Sequence, residues 1–203
     1  MNEAAAVQPS FEIRRVALIG AGVAGRSFAL ACARAGFHVV LEDVMPANLR
    51  KAEADFAEYA DLSQRGTAGR LELALTVEDA VREADIAVDF VPDELESKLE
   101  IFSMIDRMAP PKTILCTPSY ALSITDLASC VYRPERCVAV RGNLSGALMR
   151  GDAAVPPVVR LLYPAAASEA TLTAVDKFLQ ALGVEVRLEA DPEVPLLMKN
   201  AMI

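Results

Sequence analysis

Three glycines with the spacing Gly-x-Gly-x-x-Gly are the residues of this chain best suited to chemistry. They are Gly20, Gly22 and Gly25, and they follow a short apolar run. In that context the first glycine permits a tight turn, the second lets phosphates approach the backbone, and the third allows a helix to pack closely on the strand. The free N–H groups of a helix starting at Val23 and Ala24 would favour an anion. The pattern therefore predicts a pyrophosphate site.

An acidic residue follows where such a site needs a partner for a ribose. Asp43 comes directly after the second apolar run, about twenty residues beyond the glycines. Its carboxylate would accept hydrogen bonds from ribose hydroxyls and would repel a 2′-phosphate. The next residue is Val44 rather than an arginine that could neutralise that phosphate. We therefore expect the cofactor to be NAD rather than NADP.

The rest of the chain alternates short apolar strands with helical stretches. Strands are predicted at residues 16–19, 38–41, 71–75, 86–91, 113–117, 137–140, 158–162 and 184–188. Helices are predicted at residues 23–35, 46–64, 76–83, 94–108 and 168–182, with a short helix capped by Ser123. This alternation predicts an α/β fold, a Rossmann-like, doubly wound and mostly parallel sheet with helices on both faces.

The composition fits one domain and excludes several classes of protein. The chain has 203 residues, 53% of them hydrophobic, which is enough for a large core. A net charge of −8 without a basic cluster argues against nucleic acid as a partner. The apolar stretch at residues 16–33 is interrupted too often to span a membrane. We expect a tail at residues 1–12, the NAD-binding domain at 13–192 and the start of a helix at 193–203.

The four cysteines and the N-terminal residues indicate the cellular compartment of the protein. None belongs to a Cys-x-x-Cys pair, and the N-terminus lacks the features of a secretory signal. We interpret the cysteines as small buried thiols and expect a cytoplasmic protein. No residue is assigned as a metal ligand.

Beyond the glycine loop, the sequence resembles the N-terminal NAD-binding domain of the 3-hydroxyacyl-CoA dehydrogenase family. The resemblance is carried by residues 16–25, 38–44, 85–102, 122–125, 133–136 and 195–201. It implies that Asp93 and Lys98 lie near the nicotinamide end of the cofactor, and that Asn200 is an active-site asparagine. We expect the family's C-terminal helical domain to have no counterpart in these 203 residues. Residues 46–70 are short for the hairpin that contacts CoA in the family.

The catalytic positions of the family are filled differently in this chain. Arg141 stands where the family has its catalytic histidine, and the family's glutamate partner falls near Ala153. Tyr120 stands where a substrate-binding serine is expected. Because arginine is always protonated, it is a poor base. We expect Arg141 to bind the substrate's carbonyl or carboxylate, Tyr120 to protonate the oxygen, and Asn200 to hold the substrate.

These residues favour an NAD-dependent oxidoreductase with a remodelled active site, acting on a 3-hydroxy or 3-oxo acyl compound. The substrate would be a small molecule or an acyl thioester. Two alternatives remain open, a cofactor-binding protein without dehydrogenase activity and a non-redox enzyme that reuses the cleft. His38, the single histidine, is interpreted as a structural strand residue on the adenosine side. The apolar run Leu196-Leu197-Met198 predicts a homodimer.

Overall fold

The described part of the chain forms one eight-stranded sheet. The computed structural model describes residues 11–63, 69–142 and 156–191. The strands are β1 (Arg15–Ile19), β2 (His38–Glu42), β3 (Arg70–Ala74), β4 (Ile86–Asp89), β5 (Ile114–Pro118), β6 (Cys137–Arg141), β7 (Val158–Tyr163) and β8 (Glu185–Ala190). Their order is β3-β2-β1-β4-β5-β6-β7-β8. The first six are parallel, β7 is antiparallel to β6, and β8 is parallel to β7.

Helices cover both faces of this sheet. They are α1 (Val23–Arg34), α2 (Pro46–Ser63), α3 (Val77–Val81), α4 (Leu95–Met108), α5 (Ile124–Ala128) and α6 (Glu169–Ala181). Among the described residues, no helix is both long enough and apolar enough to cross a membrane. The predicted doubly wound α/β fold is confirmed.

The core consists of two layers, one on each face of the sheet. In β1, Val16 and Leu18 point towards α1, α2 and α6, whereas Ala17 and Ile19 point towards α3, α4 and α5. All four are at most 2% exposed. This burial on both faces explains why the central strands are continuous apolar runs rather than alternating ones.

The helix starts follow the predicted capping residues, whereas some boundaries differ. Thr76 and Ser123 each accept a hydrogen bond from the backbone N–H three residues later and cap α3 and α5. Helix α3 ends at Val81, two residues earlier than predicted. The chain then turns so that the Asp85 carboxylate accepts hydrogen bonds from the backbone N–H groups of Arg14 and Arg15, at the start of β1. A short 3-10 helix, Pro134–Arg136, was not predicted.

The prediction of buried cysteines is confirmed for three of the four. Cys32, Cys116 and Cys137 are buried, and burial raises the pKa of the Cys116 thiol to about 12. The prediction is wrong for Cys130, which is exposed. It lies in the turn after α5, beyond the buried face of that short helix.

A buried ion pair joins the end of α4 to the chain leading into β6. Arg133 Nε lies 2.7 Å from Asp106 Oδ1, and Arg133 Nη1 donates to the carbonyl oxygen of Pro110 over 2.6 Å. The backbone N–H of Tyr132 donates to the other carboxylate oxygen of Asp106 over 2.7 Å. The Arg133 guanidinium and the Asp106 carboxylate therefore both make hydrogen bonds within the protein, which compensates the cost of burying their charges.

We predict that Arg133→Met destabilises the chain strongly. The substitution keeps most of the side-chain volume but leaves the Asp106 charge buried and unpaired, which should cost about 3–5 kcal/mol of unfolding free energy. The matched control is Arg82→Met, which removes an exposed ion pair with Asp79 and should cost less than about 1 kcal/mol. Equal effects of the two substitutions in chemical denaturation would contradict the prediction.

Candidate cofactor and active site

A cavity of about 580 Å³ opens at the carboxyl ends of the central strands. It lies beside β1, from which the chain order runs to β2 on one side and to β4 on the other. Ligands of open α/β sheets bind at such a switch point. The described residues lining it are Ile19, Gly20, Gly22, Glu42, Asp43, Val44, Asn48, Leu75, Thr76, Val77, Phe90, Val91, Pro92, Ile101 and Met104. We call it the switch-point cavity.

Two glycines of the loop after β1 are required by the fold itself. Gly20 has a φ of +104°, a conformation that side-chain-bearing residues rarely adopt. A Cβ on Gly25 would lie 1.9 Å from the carbonyl oxygen of Gly20, so only glycine allows α1 to pack this closely on the loop. These two residues therefore set the shape of the turn.

Gly22 is different, because nothing in the described structure requires a glycine there. Its φ of −64° and ψ of −178° are accessible to any residue, and an added Cβ would meet nothing within 4 Å. Gly22 is the N-cap of α1 and provides no side-chain cap, while Val23 and Ala24 are exposed in the first helical turn. The helix start is thus open to a ligand, as a pyrophosphate site needs.

Asp43 holds the glycine loop against the end of β2. Its Oδ2 accepts hydrogen bonds from the backbone N–H of Ala21 over 2.8 Å and from Asn48 Nδ2 over 3.1 Å. Its Oδ1 accepts one from the backbone N–H of Met45 over 2.7 Å. A carboxylate has about four acceptor sites, so one remains for a ribose hydroxyl. The structural role of this residue was not predicted from the sequence.

Glu42, the last residue of β2, is a lining residue that sequence reasoning missed. Its side chain is only 3% exposed, on the sheet face that carries Ile19 and Ala74. Burial and the neighbouring charge of Asp43 raise its pKa to about 7. The signal in the sequence is an acid ending an otherwise buried strand.

Three of the predicted site residues contact the main chain of one loop, residues 118–123, which we call the tyrosine loop. Asp93 Oδ2 accepts a hydrogen bond from the backbone N–H of Tyr120 over 2.9 Å. Lys98 Nζ donates to the carbonyl oxygen of Pro118 over 3.1 Å. Arg141 Nη2 donates to the carbonyl oxygen of Leu122 over 3.1 Å. The loop is therefore held by the segment after β4, by α4 and by the end of β6.

Lys98 makes these contacts from inside the protein. It is 1% exposed, and its Nζ lies 2.6 Å from Oδ1 of the fully buried Asp89. Burial raises the pKa of Asp89, and the Lys98 ammonium opposes that shift. The expected contact of Lys98 with a cofactor stays a prediction, because the contacts that the structure shows are with Asp89 and the tyrosine loop.

Tyr120 and Arg141 both lie at the carboxyl edge of the sheet. Pro118, at the end of β5, pairs with Val140, so Tyr120 and Arg141 each follow the last shared pair. The Tyr120 side chain is 70% exposed. Arg141 is half-buried, and its Nε atom is buried without a hydrogen-bond partner in the described part of the chain. Asn200 and residues 196–198 lie outside the described residues.

His38 lies at the opposite edge from the switch-point cavity. It begins β2, and its Nε2 accepts a hydrogen bond from Arg70 Nε over 3.0 Å and lies 3.1 Å from Glu72. The expectation that it stands on the adenosine side is therefore wrong. A residue at the first position of a parallel strand faces the amino edge, whereas cofactor groups bind at the carboxyl edge.

Comparison with known proteins identifies the family. Residues 15–186 match the 3-hydroxyacyl-CoA dehydrogenase, NAD binding domain, family. The chain belongs to this family. The expected resemblance is thus confirmed, and the glycine loop, the switch-point cavity and the tyrosine loop all fall within the matched NAD-binding domain.

The curated and solved relatives of this 3-hydroxyacyl-CoA dehydrogenase domain are longer than the chain. A probable 3-hydroxybutyryl-CoA dehydrogenase of Bacillus subtilis is 32% identical over 63% of this chain and 47% of its own length. The 5-formyl-3-hydroxy-2-methylpyridine 4-carboxylate 5-dehydrogenase of Mesorhizobium japonicum is 25% identical over 94% and 62%. The structure of (S)-3-hydroxybutyryl-CoA dehydrogenase from Ralstonia eutropha superposes with a TM-score of 0.75, at 23% identity, over 89% of this chain and 65% of that one. The chain thus spans about half to two thirds of these relatives.

We predict that substitution of Gly22 impairs ligand binding, whereas substitution of Gly25 lowers the stability of the fold. Gly22→Val should abolish NAD binding in calorimetry, because the valine side chain would fill the open space at the start of α1 that the pyrophosphate needs. It should leave the melting temperature within a few degrees. Gly25→Ala should instead lower the melting temperature clearly, because its Cβ collides with backbone. A Gly22→Val protein that still binds NAD would exclude this loop as the pyrophosphate site.

Proposed function

We propose that the chain is the cofactor domain of an NAD-dependent oxidoreductase acting on a 3-hydroxy or 3-oxo acyl compound. The observation that supports this best is Gly22, which the fold does not require and which leaves the start of α1 open beside the switch-point cavity. Family membership points the same way. The enzyme would be cytoplasmic and homodimeric, as the sequence predicts.

The residues present fit the dinucleotide. Gly22, Val23 and Ala24 would hold the pyrophosphate at the start of α1, and the free acceptor site of Asp43 would take a ribose hydroxyl. The switch-point cavity, lined by apolar side chains such as Val77 and Ile101, would hold the adenosine. When bound, the nicotinamide supplies hydride-transfer chemistry.

On the substrate side, Tyr120 and Arg141 would share the role that the catalytic histidine has in the family. The buried, unpartnered Nε of Arg141 offers a hydrogen bond to a substrate carbonyl or carboxylate oxygen. The exposed Tyr120 hydroxyl would hold the proton that this oxygen gains or loses. Asn200 would orient the substrate.

A second candidate function is cofactor binding without dehydrogenase activity. It is favoured by the contact of Arg141 with Leu122, because an arginine that braces the tyrosine loop has a structural role without any substrate. A spectrophotometric test for NADH turnover with 3-oxoacyl thioesters of several carriers, and with the free acids, separates the two candidates.

We predict that the chain binds NAD at least about tenfold more tightly than NADP. The charge of Asp43 disfavours a 2′-phosphate, and tenfold corresponds to about 1.4 kcal/mol. Titration calorimetry with both cofactors checks this. Asp43→Asn keeps an oxygen that accepts the Ala21 N–H while it removes the charge. This substitution should reduce the ratio of the NADP dissociation constant to the NAD dissociation constant. Equal affinity of the unsubstituted chain for NAD and NADP would contradict the prediction.

We also predict that Tyr120→Phe lowers kcat by about two to four orders of magnitude, the usual range for a lost general acid. The dissociation constant of NADH should stay unchanged, because the contact with Asp93 uses the backbone N–H of Tyr120. Tyr132→Phe is the matched control, since Tyr132 is 86% exposed in the segment before β6. Turnover unaffected by Tyr120→Phe would remove the tyrosine from the mechanism.

A further inference from the structure

Glu42 is a buried acid that the proposed mechanism does not use. It lies on the wall of the switch-point cavity, where its surroundings are apolar on several sides. Ile19 of β1 and Ala74 of β3 are its register neighbours in the sheet, and both are buried. Ile101 and Met104 of α4 line the same cavity. A ligand in this cavity would therefore remove much of the remaining contact between the Glu42 carboxyl and water.

Among the described residues that line the switch-point cavity, none is a cation that could compensate the charge of Glu42. Among the described lining residues, only Glu42 and Asp43 are ionisable, and both are acids. On α4, Lys98 is committed to Asp89 in the core. In α3, Asp79 accepts a hydrogen bond from the Thr76 hydroxyl and forms a salt bridge with Arg82. The charged form of Glu42 is thus opposed both by burial and by Asp43, which raise its pKa to about 7.

We propose that the adenosine of the cofactor binds over a neutral Glu42 carboxyl, so that cofactor binding takes up a proton and weakens as the pH rises. This rests on the proposed function, in which the switch-point cavity holds the adenosine. A neutral carboxyl presents one hydrogen-bond donor and an acceptor, and the edges of adenine carry both kinds of partner. The ionised form presents acceptors alone and places a second negative charge beside Asp43.

The sign of the linkage follows from the two protonation states. Below pH 7 most of the free chain already carries the proton on Glu42, and binding proceeds without further cost. Above pH 7 the free chain has lost the proton and must regain it on binding. The dissociation constant for the cofactor should therefore be about tenfold larger at pH 8 than at pH 6.

Calorimetric titration tests this with NADH and with ADP-ribose, whose pyrophosphate keeps a constant charge over this range. Each titration is done at pH 6, 7 and 8, and at pH 8 in two buffers of different ionisation enthalpy. The difference in binding enthalpy between the two buffers gives the number of protons taken up on binding. We expect uptake of close to one proton at pH 8 for both ligands, because both contain the adenosine.

The variant Glu42→Gln keeps the shape and the donor of the neutral acid but cannot ionise. It should bind with similar affinity at pH 6 and pH 8 and take up no proton. The control Glu53→Gln, on an exposed position of α2, should keep the tenfold dependence. Circular dichroism of both variants establishes that they are folded.

The outcomes separate this inference from the function on which it rests. If neither NADH nor ADP-ribose binds at any pH, both the proposed function and the inference fail. Binding of equal affinity at pH 6 and pH 8, or a pH dependence that survives in Glu42→Gln, overturns the inference alone. A folded Glu42→Gln chain that no longer binds at pH 6 would also overturn it, because the amide imitates the neutral acid.

Discussion

The contact between the Asp43 carboxylate and the backbone N–H of Ala21 is the interaction on which the cofactor site depends. It joins the end of β2 to the glycine loop that follows β1, two segments that are 22 residues apart. Because Gly20 turns with a positive φ, the Ala21 N–H can point to β2. The same contact fixes the start of α1. A single buried carboxylate thus sets the relative positions of the two walls of the switch-point cavity.

That arrangement has an electrostatic consequence for the neighbouring acid. Asp43 is satisfied by three N–H donors, whereas Glu42 faces the apolar side of the cavity and the charge of Asp43. Glu42 ends β2 and pairs with Ile19 and Ala74 in the sheet, whereas Asp43 follows the strand and binds the glycine loop, so the two acids occupy different environments. Asp43 fixes the position of the glycine loop. Glu42 lies where its protonation state affects the binding of a ligand in the switch-point cavity.

Much of the fold could be predicted from the sequence, because strands buried on both faces leave a direct mark in the residue pattern. The apolar run of β1, the capping residues Thr76 and Ser123 and the glycine loop are all local signals, and each depends on residues within about four positions. The single domain-wide inference, a doubly wound sheet, follows from their alternation.

The site was less predictable, because burial of a polar residue depends on partners far away in the sequence. Lys98 is buried because Asp89 lies within 2.6 Å of its Nζ, although the two belong to different elements. Glu42 is buried between its register neighbours Ile19 and Ala74, which are 23 and 32 residues away along the chain. Cys130 is exposed because α5 ends just before it. No pattern within a short window reports such packing.

The tyrosine loop suggests how one framework can carry different active-site chemistry. Asp93, Lys98 and Arg141 contact its backbone N–H and carbonyl groups rather than its side chains. Main-chain contacts of this kind fix the position of a loop regardless of which side chain it presents at its tip. Replacing the side chain at position 120 would therefore change the reactive group without moving the loop. Asp93, Lys98 and Arg141, which we expect to lie beside the cofactor and the substrate, thereby have a positioning role that is independent of the reaction.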